Sequence, residues 1–316
     1  MKFKLKKYLL IGIGFISLIV IGSDVSVHAT EYSTEQAETV GETSKVIKAK
    51  KPKTKAKAYA VLDRKTGEVL VQKNANKQYL TASTGKLMTI YLAARKIDNK
   101  SKNWNKKVKF SKTLVNMGNN PNFDSFHVKS GKKYTIRQVM QSTIINSANN
   151  SAIRLGQWVA GSNKEFIKMM NKQAKLWGLK ATFTSASGLE NDDLSPYGYW
   201  VQGDLNSGNL LSAKDLAIIA YHVANDYPEL MKYFKTTSKV VAGQKLVNQN
   251  RTLPGQKFYQ KSLKPDGMKT GWTPRAGYCF VGSSQKDDGL ITVVLNDPDE
   301  FSDTTKLMNF TYDNLN

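Results

Sequence analysis

The sequence predicts an α+β fold with one antiparallel sheet and a helical subdomain. Strand-like runs occupy both ends of the chain, while the middle reads as a series of helices. That pattern suits a sheet assembled from the two ends, with helices on its faces, and not alternating βα units. The first ordered segment is a hairpin: "AYAVLD" and "EVLVQK" alternate around the turn "RKTG". Its strands are expected to join the C-terminal ones.

Taken in chain order, a helix is expected from Ser83, with Leu87, Ile90, Tyr91 and Ala94 on one face. "TIRQVMQSTII" and "SAIRLGQWVAG" read as two more helices. Ser162 to Gly178 opens with a capping serine and Glu165 and ends in glycine, and Ser212 to Asp226 is a further helix. "KVVAG", "DGMKTG", "GYCFVGSS" and "LITVVLN" then read as strands, and a last helix spans Asp299 to Asn314.

Hydrophobic residues make up 40% of the 316, enough for a packed core. The single cysteine, Cys279, rules out an internal disulfide and sits in a strand-like context, so an inert buried thiol is expected. The N-terminus has the organisation of an export signal. Lys2, Lys4, Lys6 and Lys7 precede the apolar run "YLLIGIGFISLIVIG", and "VHA" ending at Ala29 suits cleavage. Residues 1–29 are therefore expected to be removed, and the protein to be secreted and associated with the cell wall. Residues 30–57 are polar, acidic first and lysine-rich later, and are expected to form a disordered spacer before an ordered domain at 58–316. The net charge of +22 favours anionic cell-wall polymers or a membrane surface as contacts of that basic spacer. Export and the lack of any nucleic-acid motif argue against nucleic acid as a partner.

The residue inventory narrows the chemistry. Of three histidines, His28 lies in the signal, His222 in a helix and His127 in a polar loop, and none has a recognisable triad partner. No metal-ligand cluster or phosphate loop is evident, so no metal and no cofactor are expected. A serine can still be activated by a lysine whose pKa is lowered by burial and a neighbouring positive charge. Ser83 and Lys86, in "LTASTGKLMTI", lie three apart at a helix start. Alone, such a pair is most often a helix cap and a surface lysine. Two more motifs accompany it: Ser147-Ala148-Asn149 between helices, and Lys269-Thr270-Gly271 after a turn.

Ser-x-x-Lys, Ser-x-Asn and Lys-Thr-Gly, in this order, are the signature elements of penicillin-recognising serine enzymes. From about Ala58 onward the chain resembles low-molecular-weight penicillin-binding proteins, the serine D-Ala-D-Ala carboxypeptidases of peptidase family S11. The likeness extends to "NNSAIRLGQWVAGSNKEFIKMMNKQAKLWG", to Ser187-Gly188-Leu189 and to "DGMKTGWTPRAGY". The resemblance implies the β-lactamase/DD-peptidase fold, a five-stranded antiparallel sheet flanked by helices with an all-α subdomain. It implies Ser83 as nucleophile, Lys86 as its proton acceptor and Ser147 as a proton relay. Asn149, Lys269, Thr270 and Gly271 would bind substrate, and the backbone N–H groups of Ser83 and Trp272 would hold the oxyanion. The implied substrate is a peptidoglycan stem peptide, which loses its terminal D-alanine, and β-lactams would inhibit.

The chain departs from the family in three places. Trp272 stands where many relatives have histidine. "NDPDE" replaces the segment whose arginine binds the substrate carboxylate, leaving Arg251 or Arg275 for that task. Residues 190–211 form a longer loop in which Tyr197, Tyr199 and Trp200 either line a groove or pack on the domain. Past Lys-Thr-Gly, room is expected for the end of the sheet and one helix, and none for the second domain or amphipathic anchor of many relatives. The alternatives are a DD-endopeptidase acting on cross-links, a class A-like β-lactamase, and a non-catalytic wall-binding protein.

Overall fold

The computed structural model describes residues 40–315 except 44 and 99. The expected signal at 1–29 and the first part of the expected spacer lie outside these residues.

The central sheet has five strands: β1 (Ala58–Asp63), β2 (Val69–Lys73), β3 (Pro265–Thr273), β4 (Gly277–Ser284) and β5 (Leu290–Leu295). Their order is β2-β1-β5-β4-β3, with every pairing antiparallel. The N-terminal hairpin therefore does join the C-terminal strands, with Ala58 opposite Leu295 and Asp63 opposite Leu290. Both faces of this sheet are covered. Ala58, Ala60 and Leu62 of β1 enter the larger core, which includes the helical middle. Tyr59 and Val61 point to the opposite face, into a smaller core with Leu307, Met308 and Tyr312. Alternate side chains thus serve two different cores, as the strand period of two requires.

The main helices are α1 (Lys86–Asp98), α2 (Lys112–Gly118), α3 (Ile136–Ile145), α4 (Asn149–Ala160), α5 (Asn163–Leu176), α6 (Ala213–Asp226) and α7 (Glu300–Asp313). α3 starts at a capping box in which Thr135 and Gln138 satisfy each other's backbone N–H groups. Ser212 and Asp215 do the same for α6. Ser162 caps α5 by accepting from Glu165 N. α6 packs against β1 and β5 on one face of the sheet, and α7 covers the other.

Residues 40–57 differ from the spacer expected there. Val69 N donates to Glu42 O at 2.7 Å and Ile47 N to Leu70 O at 2.7 Å, so this segment follows the open edge of β2. Ala56 is fully buried, Ile47 packs on the smaller core, and Lys55 pairs with Asp299 at 2.8 Å. An unpaired strand edge supplies donors and acceptors that a polar segment can use. Val40, Ile47 and Ala56 anchor it on the two cores, and composition alone conceals this.

Candidate active site

The turn that carries Ser83 is a short 3-10 helix, Ala82–Gly85, which runs directly into α1. In 3-10 geometry residues i and i+3 eclipse each other, so Lys86 lies directly along the axis from Ser83. The Lys86 side chain is fully buried, and its Nζ lies 2.6 Å from Ser83 Oγ. The N-cap position of this turn falls on Thr81 and not on Ser83, and Lys86 is no surface lysine; the ordinary reading of this pair does not apply.

Lys86 Nζ also donates to Asn149 Oδ1 at 2.7 Å and to Ser187 O at 2.6 Å. Three contacts match the donors of an ammonium. A neutral amine would keep two of them, to Asn149 and Ser187, and turn its lone pair to the Ser83 hydroxyl. Burial first, and the nearby charge of Lys269 second, hold the Lys86 pKa well below the ordinary lysine range, while Asp124 opposes them. Lys269 is also buried and donates to Thr270 O at 2.9 Å. Desolvation brings its pKa down to about 8, again against Asp124.

The approach of β3 to the serine turn depends on glycine. A Cβ on Gly271 would stand 2.9 Å from the backbone nitrogens of both Ser83 and Thr84. On the opposite side, Gly188 has φ +81°, and a Cβ there would overlap Ala82 O at 2.0 Å. The Ser187-Gly188 segment therefore presses against the serine turn and presents its carbonyl to Lys86. The sequence motif Ser-Gly-Leu marked this segment but not its task. Asp124 and Gln249, described below, carried no sequence signal.

Ser147 lies between α3 and α4 with φ 60°, a left-handed conformation that is uncommon for serine. Its Oγ is buried with no hydrogen-bond partner among the described residues. Strained backbone and an unused buried hydroxyl are both costly, and such features cluster at functional sites. Two residues on, Asn149 opens α4 and reaches Lys86. Thr270 Oγ1 lies 3.5 Å from Gln249 Oε1. Trp272 is exposed and its indole faces Tyr278, with centroids 6.0 Å apart.

The two candidate arginines fare differently. Arg275 is taken up by Asp192 at 2.8 Å and Glu190 at 3.7 Å. Arg251 is exposed and, among the described residues, bound by no side-chain hydrogen bond or ion pair; its charge acts on Glu300 at the start of α7, while Lys269 and Asp124 are the charges that act on the two lysines. Glu190, Asp192 and Asp193 converge within 4.8 Å, with Arg275 as counter-charge. In the long loop, Tyr199 is buried with its hydroxyl 3.3 Å from Ser111 Oγ, and Tyr197 accepts from Asn120 Nδ2 at 3.0 Å. Both pack on the domain, and Trp200 alone of the three is exposed. His222 stacks on Trp177 at 4.1 Å within the aromatic core. Cys279 is buried, its thiol pKa pushed up to about 12 by desolvation.

Comparison with known proteins bears on the family and the fold. The chain is 31% identical over 267 residues to D-alanyl-D-alanine carboxypeptidase DacF of Bacillus subtilis, covering 81% of this chain and 62% of that one. It is 31% identical over 264 residues to DacC of Escherichia coli, covering 81% and 61%. The chain thus spans about three fifths of the length of these relatives. Among solved structures, a peptidoglycan synthesis regulatory factor (PBP3) from Streptococcus pneumoniae superposes with a TM-score of 0.78 at 30% identity, covering 83% of this chain and 72% of that one. Penicillin-Binding Protein D2 from Listeria monocytogenes, solved in its cefotaxime-bound form, gives 0.69 at 30% identity, covering 83% and 99%. The D-alanyl-D-alanine carboxypeptidase family model matches residues 45–299, and the chain belongs to that family, peptidase S11.

Proposed function

We propose that the protein is a serine D-alanyl-D-alanine carboxypeptidase that trims peptidoglycan stem peptides and is acylated by β-lactams. The observation that carries this reading is the fully buried Lys86, 2.6 Å from Ser83 Oγ with its pKa depressed. Ser83 Oγ attacks the carbonyl carbon of the penultimate D-alanine while Lys86 takes its proton. The developing oxyanion sits between the N–H groups of Ser83 and Trp272, where Gly271 allows β3 to come close. Asn149 holds the substrate amide, and Lys269 and Thr270 face its terminal carboxylate. Ser147 passes a proton to the departing amine, and D-alanine leaves. Water then cleaves the Ser83 ester and restores the hydroxyl.

A β-lactamase would need a base for rapid deacylation. Glu190 is the carboxylate on the adjoining loop, but it accepts from Thr273 Oγ1 at 2.6 Å and faces Arg275. No carboxylate among the described residues bonds to Ser83 or Lys86, so a penicilloyl ester on Ser83 is expected to persist. The export signal, cleavage after Ala29, placement at the cell wall and contact of the basic N-terminal segment with anionic wall polymers or a membrane surface complete the reading. The test is release of D-alanine from an N-acyl-L-Lys-D-Ala-D-Ala tripeptide. Release by the wild type, lost in Ser83→Ala, supports the proposal; no release by the wild type contradicts it.

A further inference from the structure

The wall of the cleft facing Thr270 contains a carboxylate already bound by an amide. Gln249 Nε2 donates to both oxygens of Asp124, at 3.0 and 3.2 Å, and Gln249 Oε1 lies 3.5 Å from Thr270 Oγ1. Asp124 is held in place from behind by the segment that carries Ser147 and Asn149. Asn149 N donates to Asp124 O at 2.8 Å, Asn146 Nδ2 to Ser125 O at 2.9 Å, and Asn150 pairs with both backbone groups of Phe126. Gln249 is placed as firmly, since its neighbour Asn248 bonds Phe234 O and Thr236 O. Both side chains are nevertheless exposed at the mouth.

Structural clasping does not require this contact. Gln244 already ties the same loop through both backbone groups of His127, at 2.9 and 2.6 Å. What Gln249 adds is an Nε2–H shared between the two oxygens of a carboxylate beside the Thr270 hydroxyl. Among the described residues neither candidate arginine is bonded there: Arg275 is paired with Asp192 and Arg251 acts toward α7.

We propose that Gln249, with Thr270, is a specificity residue that holds the terminal carboxylate of the substrate, and that Asp124 occupies this grip when substrate is absent. The inference rests on the carboxypeptidase reading above. An incoming carboxylate takes over this Nε2–H, and the exposed Asp124 side chain rotates into solvent, away from the like charge. Asp124 is thus a built-in competitor.

The experiment compares N-acyl-L-Lys-D-Ala-D-Ala as the free acid with its C-terminal amide. A hydrogen bond to a charged group is worth roughly ten- to a hundredfold in binding. Gln249→Ala is expected to lower kcat/KM for the free acid by about that factor, mainly through KM, and to affect the amide at least about tenfold less. Gln249→Glu deepens the loss by repulsion. Asp124→Asn lowers KM for the free acid by roughly three- to tenfold, and this gain disappears when Gln249→Ala is added. Equal losses on the two substrates in Gln249→Ala, the same selective loss in Gln244→Ala, or a higher free-acid KM in Asp124→Asn would each overturn the proposal alone. Wild type that is acylated by penicillin but releases no D-alanine overturns the carboxypeptidase reading and this inference together.

Discussion

At the residue scale, two buried lysines share the site, and their chemistry follows from what surrounds them. Burial and mutual repulsion favour loss of a proton from Lys86, while Lys269 retains its own up to about pH 8. Acylation by penicillin is therefore expected to be bell-shaped in pH. The acid limb reports loss of the proton from Lys86, and the alkaline limb, near pH 8, reports loss of the positive field of Lys269. Asp124 raises both lysines, so Asp124→Asn should move both limbs to lower pH. Stopped-flow acylation rates across pH check this; a limb that moves upward contradicts it. That Ser83, Lys86 and Asn149 meet was legible in the sequence because short motifs fix their types and order. The carbonyl of Ser187 and the Asp124–Gln249 contact were not, since a backbone acceptor leaves no residue signature and the pair is separated by 125 positions.

At the element scale, the serine turn and the edge strand β3 do the positioning. Ser83 was expected on an α-helix, whereas the structure places it in a 3-10 turn that brings Lys86 over its hydroxyl. Sequence periodicity cannot separate a 3-10 turn from the first turn of an α-helix. Helix boundaries were clearer where a cap announced them, as at Ser162. The capping box of α6 also gives a stability prediction. Ser212 Oγ accepts from Asp215 N at 3.0 Å and donates to Asp215 Oδ2 at 2.7 Å, all in a buried setting. Ser212→Ala should cost about 1–2 kcal/mol while leaving the acylation rate unchanged at a temperature where the variant is folded. Denaturant unfolding followed by circular dichroism reads the loss. An unchanged midpoint would mean that α6 is held by packing on β1 and β5 alone.

At the scale of the whole molecule, the sheet closes the chain on itself and sets the two cores on its faces. The α+β class and the joining of the N-terminal hairpin to the C-terminal strands were legible because strand-like runs lie only at the two ends. The docking of residues 40–57 was not, because lysine dominates that stretch and scattered residues such as Ile47 and Ala56 do too little to the pattern to stand out. That docking has a measurable consequence. Covering the edge of β2 and burying these two side chains should contribute about 2 kcal/mol, so a chain beginning at Ala58 should melt roughly 4–8 °C below one beginning at residue 40. Equal melting temperatures would show that the segment adds nothing to the folded domain.

The central claim is that Ser83 is the nucleophile and that Lys86 makes it one. The most direct measurement is intact-protein mass spectrometry after exposure to benzylpenicillin, with peptide mapping of the adduct. The account predicts one stable penicilloyl ester, on the peptide containing Ser83, absent from Ser83→Ala and strongly slowed in Lys86→Gln. An adduct on another residue, or undiminished labelling of Ser83→Ala, would contradict it.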